Sequence, residues 1–238
     1  MTMISIYDVD RTLTRLPTYS AFLLFAARRA RPWRLGLIPL IAPWAVAYAF
    51  GLISRKRMKE VMHGHMLGHG LPRATAERLA GLFADRIFAS GLYDEGGARI
   101  RADHEAGRRV ILATAAPSLY IDRLAAHLSV DDVVATGGTW LDDRLTSRIA
   151  GENCYGAAKQ RMIADHLARR GITRGDAHIR FYSDHASDLP SFEWADEPVA
   201  VNPSPKLRRI AAERGWPILD WAAGGDTGAN RAITTGRR

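Results

Sequence analysis

Asp8 and Asp10 stand two positions apart in ISIYDVDRTLT (4–14), where a short apolar run stops and two threonines follow. Carboxylates this close repel each other and persist together only if a cation joins them or one takes up a proton. Either arrangement suits the nucleophile loop of a phosphoryl-transfer enzyme, one carboxylate attacking phosphorus and the other moving protons. The D-x-D-x-T pattern is short, however, and a turn or a helix-capping cluster would also satisfy it.

Such a pair works only if the fold carries it to other groups of matching chemistry. Ile4 and Ile6 are β-branched and alternate with Ser5 and Tyr7, which predicts a strand ending near Asp8. RRVILAT (108–114) reads as a buried strand ending at Thr114, followed by a helix over 117–128 with Pro117 in its first turn. Short strands are expected at 132–136 and within 137–151, where Asp142-Asp143 marks a hairpin turn. A helix over 156–170 carries Lys159, and HIRFYS (178–183) is a strand stopping before Asp184. PVAVN (198–202), a helix over 205–215 and PILDW (217–221) complete the alternation. The fold class is therefore α/β, a parallel sheet with helices on both faces. In such sheets the ligand crevice lies beyond the carboxyl ends of the strands, the edge at which Asp8, Asp10, Thr114 and Asp184 all fall.

DVDRTLT, ILATAAP with Thr114, YGAAK with Lys159, and YSDHASDLP with Asp184 and Asp188 resemble, in order, the four motifs of the haloacid dehalogenase (HAD) superfamily of phosphatases. The helical insert between the first two motifs resembles subclass IB, the phosphoserine-phosphatase-like branch. The resemblance covers residues 4–221. It implies a Rossmann-like core over 1–17 and 106–222, with a helical cap inserted after the first strand over 18–105. It also implies an aspartyl-phosphate mechanism with Asp8 as nucleophile and Asp10 as acid and base. By the same analogy Mg²⁺ would be held by Asp8, the Asp10 backbone carbonyl and Asp184. Thr114 and Lys159 would hold the phosphate, and Asp188 would orient Lys159 or a metal-bound water. Two positions depart from the family pattern. Arg11 stands where Gly is usual, and either points toward substrate or, if its backbone is left-handed, adds strain that weakens catalysis. His185 replaces a common Ser or Asn.

Composition narrows the partners. The formal net charge of +8 favours an anionic partner such as a phosphate ester or an anionic membrane surface, although a solvated basic surface gives the same figure. The basic residues are dispersed, so no nucleic acid is expected. Cys154 is the only cysteine, which excludes an intrachain disulfide. Asp8, Asp10, Arg11 and Arg15 interrupt the first 17 residues where a leader would be apolar, so a cytoplasmic protein is expected.

The insert contains an apolar hairpin around 20–53, within which residues 35–53 carry no charge. As one helix that run would reach about 28 Å, enough to span a bilayer core. On the motif reading a single span is excluded, because Asp8 precedes it and Thr114, Lys159 and Asp184 follow it. The open readings are a hairpin broken at Pro32, re-entrant or peripheral at the inner membrane face and using 18–59, or a cap buried within the protein or a dimer. The Arg-flanked run is similar to that of the bacterial phosphatidylglycerophosphate phosphatase C family, which implies a lipid-linked phosphate and phospholipid metabolism. Phosphoserine phosphatases usually place a substrate-reading Glu nine residues after the nucleophile, and here that position is Pro17. A soluble metabolite such as phosphoserine is the alternative substrate, and a non-catalytic membrane-associated binding protein is a second alternative. His63, His65 and His69 read as structural rather than metal-binding, no function falls on 101–109, and the tail over 223–238 is expected to be disordered.

Overall fold

The computed structural model describes residues 1–223, and the expected disordered tail lies, from residue 224 onward, outside the described residues. The described strands are β1 (Thr2–Tyr7), β2 (Leu71–Pro72), β3 (Arg109–Pro117), β4 (Asp132–Leu141), β5 (Arg144–Ala150), β6 (Ala177–Ser183), β7 (Glu197–Val201) and β8 (Ile218–Leu219). The helices are α1 (Thr18–Ala30), α2 (Ala42–Ala49), α3 (Arg55–Met66), α4 (Arg73–Ser90), α5 (Asp94–Glu105), α6 (Ser118–His127), α7 (Ala157–Arg169), α8 (Leu189–Trp194) and α9 (Pro205–Arg214). Pro117 closes β3 just before α6 rather than lying in the helix, because its extended backbone (ψ 130°) continues the strand.

The strands form one sheet in the order β2-β5-β4-β3-β1-β6-β7-β8. β1 pairs in parallel with β3 on one side and β6 on the other, so the strand order reverses beside it. That reversal opens a crevice at the carboxyl ends of these three strands. Only the β4-β5-β2 end is antiparallel, closed by the Asp142-Asp143 turn with φ of 46° and 57°, the left-handed pair that a two-residue hairpin needs. β2 was not legible in the insert, since two residues are too few to show alternation.

Side-chain alternation splits the core between the two faces of the sheet. Ile4, Ile6, Ile111 and Ala113 pack with Ile163 and Leu167 of α7 and with Phe181 and Phe192. Tyr7, Val110 and Leu112 belong to the opposite cluster with Phe22, Phe83 and Tyr120. Each fully buried isoleucine contributes about 2 kcal/mol, which fixes the register that sets Asp8 at the strand end.

The apolar run after α1 is not one helix. A 3-10 helix spans Pro32–Ile41 and α2 follows over eight residues, since Pro39 and Pro43 each remove a backbone donor. Among the described residues, no helix is long and apolar enough to cross a membrane. The buried-cap reading of this run is also corrected: Ile41 is the one buried residue of the 3-10 helix and α2 has none.

Candidate active site

Asp8 follows β1 directly, and its backbone N–H donates to the Tyr182 carbonyl of β6. Lys159 arrives from the first turn of α7, whose preceding Gly156 has φ 60° and ψ −135°. That conformation is open essentially to glycine alone, which explains the Gly of YGAAK. The Lys159 ammonium donates to Asp8 Oδ1 at 2.8 Å and to Asp188 Oδ2 at 2.6 Å. Ser183 donates to the same Asp188 oxygen at 2.8 Å. Thr114 Oγ1 accepts the Ala116 N–H at 3.1 Å, so its own proton remains for a ligand. Asp10 Oδ1 accepts from the Thr18 N–H at 2.9 Å and lies 2.6 Å from the Thr18 hydroxyl, which contacts Tyr120.

Asp8, Asp10, Arg11, Thr114, Lys159, Asp184 and Asp188 all line one cavity of about 280 Å³. The fold thus assembles every residue assigned to the site from the sequence at one crevice.

The electrostatics of this cavity are tense. Burial raises the Asp8 carboxyl to about 6, with Lys159 opposing and Asp188 adding to the rise. Burial, then the Asp8 charge, raises Asp184 to about 7. Burial disfavours the Lys159 cation, but Asp188 and Asp8 outweigh that and raise its pKa. Among the described residues, no three acidic or imidazole side chains converge closely enough to hold a metal by themselves. Two carboxylates, Asp8 and Asp184, with the Asp10 carbonyl, fit Mg²⁺ better, which takes few protein ligands and shares its shell with water and phosphate. The buried Asp188 Oδ1 has no hydrogen-bond partner within the protein, which leaves it able to accept from a metal-bound water.

Several residues here were not visible in the sequence. Arg55 lines the mouth, its guanidinium 4.2 Å from the Tyr155 ring. In the sequence it was one member of a basic flank. His185 caps the 3-10 turn Ala186–Asp188 by accepting the Ser187 N–H at 3.1 Å, which is why it can replace Ser. Beneath the site Tyr7 and Tyr182 stack at 4.2 Å, and the Tyr7 hydroxyl donates to Asp103 at 2.5 Å. Arg180 reaches Asp103 at 3.2 Å and Glu197 at 2.6 Å, while Arg108 donates to Ser5 and to the Ile4 carbonyl. Asp103 and Arg108 fall in the segment 101–109, where the sequence shows no function. Nothing in the one-dimensional pattern signals that these charges turn inward.

Arg11 adopts the left-handed conformation at φ 63°, the alternative that carries strain. Its N–H donates to Thr14 Oγ1 at 3.3 Å and its carbonyl accepts from Asn202 at 3.4 Å. Replacing Arg11 by Gly is expected to stabilise the protein by about 1 kcal/mol, or about 2–4 °C in Tm. Thermal denaturation measures this, and an unchanged or lowered Tm would show that the side chain compensates for its backbone.

The model of the haloacid dehalogenase-like hydrolase family matches residues 6–193. A phosphoserine phosphatase of Mycobacterium tuberculosis is 28% identical over 228 residues, covering 93% of this chain and 71% of that protein. A Streptomyces azureus protein, named for inhibition of morphological differentiation, is 35% identical over 130 residues, and the match spans 46% of its length and 55% of this chain. Among solved structures, a Bordetella pertussis protein of unknown function superposes with a TM-score of 0.81 at 27% identity, covering 93% of this chain and 99% of that one.

Proposed function

Because this chain belongs to the haloacid dehalogenase-like hydrolase family, we propose that it hydrolyses phosphomonoesters, with Asp8 forming an aspartyl phosphate and Asp10 moving the protons. The observation that carries this reading is the buried Lys159 ammonium held between Asp8 and Asp188 in a cavity shared with Thr114, Asp10 and Asp184. In the first half-reaction an Asp8 oxygen bonds to phosphorus, the phosphorus–alcohol bond breaks, and Asp10 gives the alcohol oxygen its proton. Water then attacks the same phosphorus, Asp10 takes its proton, and Asp8 departs as a carboxylate. Lys159 has one donor left after Asp8 and Asp188, and it and the Thr114 hydroxyl hold the non-bridging oxygens. Asp188 positions Lys159. Phosphatases of this family are generally Mg²⁺-dependent. Mg²⁺ held by Asp8, Asp184 and the Asp10 carbonyl would neutralise the charge of a phosphate dianion among carboxylates. On this reading residues 1–17 and 106–222 are the catalytic core and 18–105 the substrate-selecting cap.

Phosphate release from 4-nitrophenyl phosphate, phosphoserine, phosphatidic acid and phosphatidylglycerophosphate tests this reading. We expect Mg²⁺-dependent turnover of at least one ester, abolished by chelation and restored by added Mg²⁺. No turnover of any of them with Mg²⁺ present would favour a binding protein.

A second observation bears on the substrate. Trp33, Leu40, Phe50 and Leu52 are 67%, 57%, 78% and 77% exposed on the segment after α1. Residues 11–59 contain no Asp or Glu and ten Arg or Lys. An exposed apolar segment flanked in sequence by cations, with Glu60 next to it paired to Arg57, is complementary to an anionic lipid surface, where it would meet amphiphilic or lipid-linked phosphates. Co-sedimentation is expected with vesicles containing phosphatidylglycerol, weakened severalfold in the Trp33→Ser, Phe50→Ser double variant, and absent with phosphatidylcholine alone. Failure to bind either vesicle would favour a soluble metabolite, the substrate class named for the mycobacterial relative.

A further inference from the structure

A second, larger cavity of about 450 Å³ adjoins the phosphate site. The two share Ala115, the residue after Thr114, and the chain continues from there along the larger wall through Pro117, Ser118 and Leu119. Its size is that of a small-molecule site rather than a packing defect. Leu119, Trp140, Leu145 and Ile149 give it an apolar lining.

Two polar groups on one face of α3 enter this lining, Lys59 and, one helical turn later, His63. Lys59 is 7% exposed, and its ammonium donates to the Ala115 carbonyl at 2.6 Å and to Asn153 Oδ1 at 2.7 Å. Both acceptors are neutral and the Tyr19 ring centroid lies 5.1 Å away, so the charge has no carboxylate in contact and one proton remains to donate. His63 is 9% exposed and its Nε2 has no hydrogen-bond partner. A buried cation without an anionic partner is costly, and the Lys59 ammonium is satisfied by a ligand bringing an anionic acceptor, whereas burial keeps the His63 ring neutral at the wall. The other charged groups of the lining are Glu77, which pairs with Arg73 at 3.6 Å, and Asp122, Arg123 and Arg148. These four balance, two acidic against two basic, so Lys59 leaves the lining with one net positive charge.

We propose that this cavity is the chamber for the alcohol half of the substrate, and that Lys59 selects an alcohol with an apolar body and an anionic group such as a carboxylate. The inference rests on the phosphatase reading above and adds the class of leaving group.

Phenyl phosphate and 4-carboxyphenyl phosphate differ only in the carboxylate, and methyl phosphate lacks any body to fill the chamber. For Lys59→Met we expect KM for 4-carboxyphenyl phosphate to rise tenfold or more, with KM for phenyl and methyl phosphate unchanged. Ala126→Trp, at the exposed rim, is expected to raise KM for both aromatic esters while sparing methyl phosphate. Calorimetric binding of 4-carboxyphenyl phosphate to Asp8→Asn protein, with and without Lys59→Met, gives a readout free of turnover, and Lys59 should strengthen binding tenfold or more. If neither variant changes discrimination and binding is independent of Lys59, the chamber assignment is overturned while the phosphatase reading stands. If binding depends on Lys59 but the unmutated chain with Mg²⁺ turns over no ester, the chamber stands and the phosphatase reading falls.

Discussion

Asp8→Asn is expected to reduce phosphate release by about 10⁴-fold or more while the protein folds as before, because the amide cannot form the acyl phosphate on which both half-reactions depend. The substitution nearly preserves shape, and it removes a carboxyl that burial already holds near 6, so the folded state loses little. Lys159 then keeps Asp188 as its partner at 2.6 Å. Burst kinetics and phosphate release measure the loss, with circular dichroism as the control for folding. Turnover within tenfold of the unmutated chain would remove Asp8 from the nucleophile's role.

Lys159→Met is expected to abolish activity and also to destabilise the protein by about 3–5 kcal/mol at pH 8, since it leaves Asp8 and Asp188 buried without their cation. The pH dependence separates this from a packing defect. Asp8 and Asp184 already have folded pKa values, about 6 and about 7, above the ordinary 3.8. Between pH 4 and 7 the folded state therefore holds protons that the unfolded state has released. The stability this provides is complete below about pH 4 and is lost as pH rises through the folded values. Removing Lys159, which lowers both, moves them higher and extends the loss to higher pH. The deficit relative to the unmutated chain should accordingly be larger at pH 8 than at pH 5, where the loss of the Asp188 contact remains, measured by urea denaturation without metal. A deficit that is constant across that range would mean that Lys159 matters for packing and not for charge.

The segments that carry chemistry are also those whose local rules are strongest, which is why so much of the site was legible. β1, β3 and β6 are buried on both faces and read as apolar runs, and Asp8, Thr114 and Asp184 mark where each run ends. Gly156 and Lys159 sit at a helix start that only a glycine can form. The insert was harder. Its apolar run has the composition of one long helix, and two prolines divide it into pieces with much of their apolar surface exposed. Whether an apolar residue is covered depends on what packs across it, and that neighbour is distant in sequence.

Sequence alone determined the α/β class and the identity of the groups that would meet at the sheet's edge, because periodicity and glycine or proline placement act over a few residues, while β3 and β4 run past their expected ends to Pro117 and Leu141. Tertiary structure alone decided which charges turn inward. Asp103, Arg108 and Arg180 look like surface residues in one dimension, yet they form a buried network under β1 and β6. It alone set Arg11 in a left-handed turn, and it alone placed Lys59 and His63 in the wall of a chamber beside the phosphate site. These outcomes follow from contacts between residues tens to more than a hundred positions apart, whose energies no local pattern encodes.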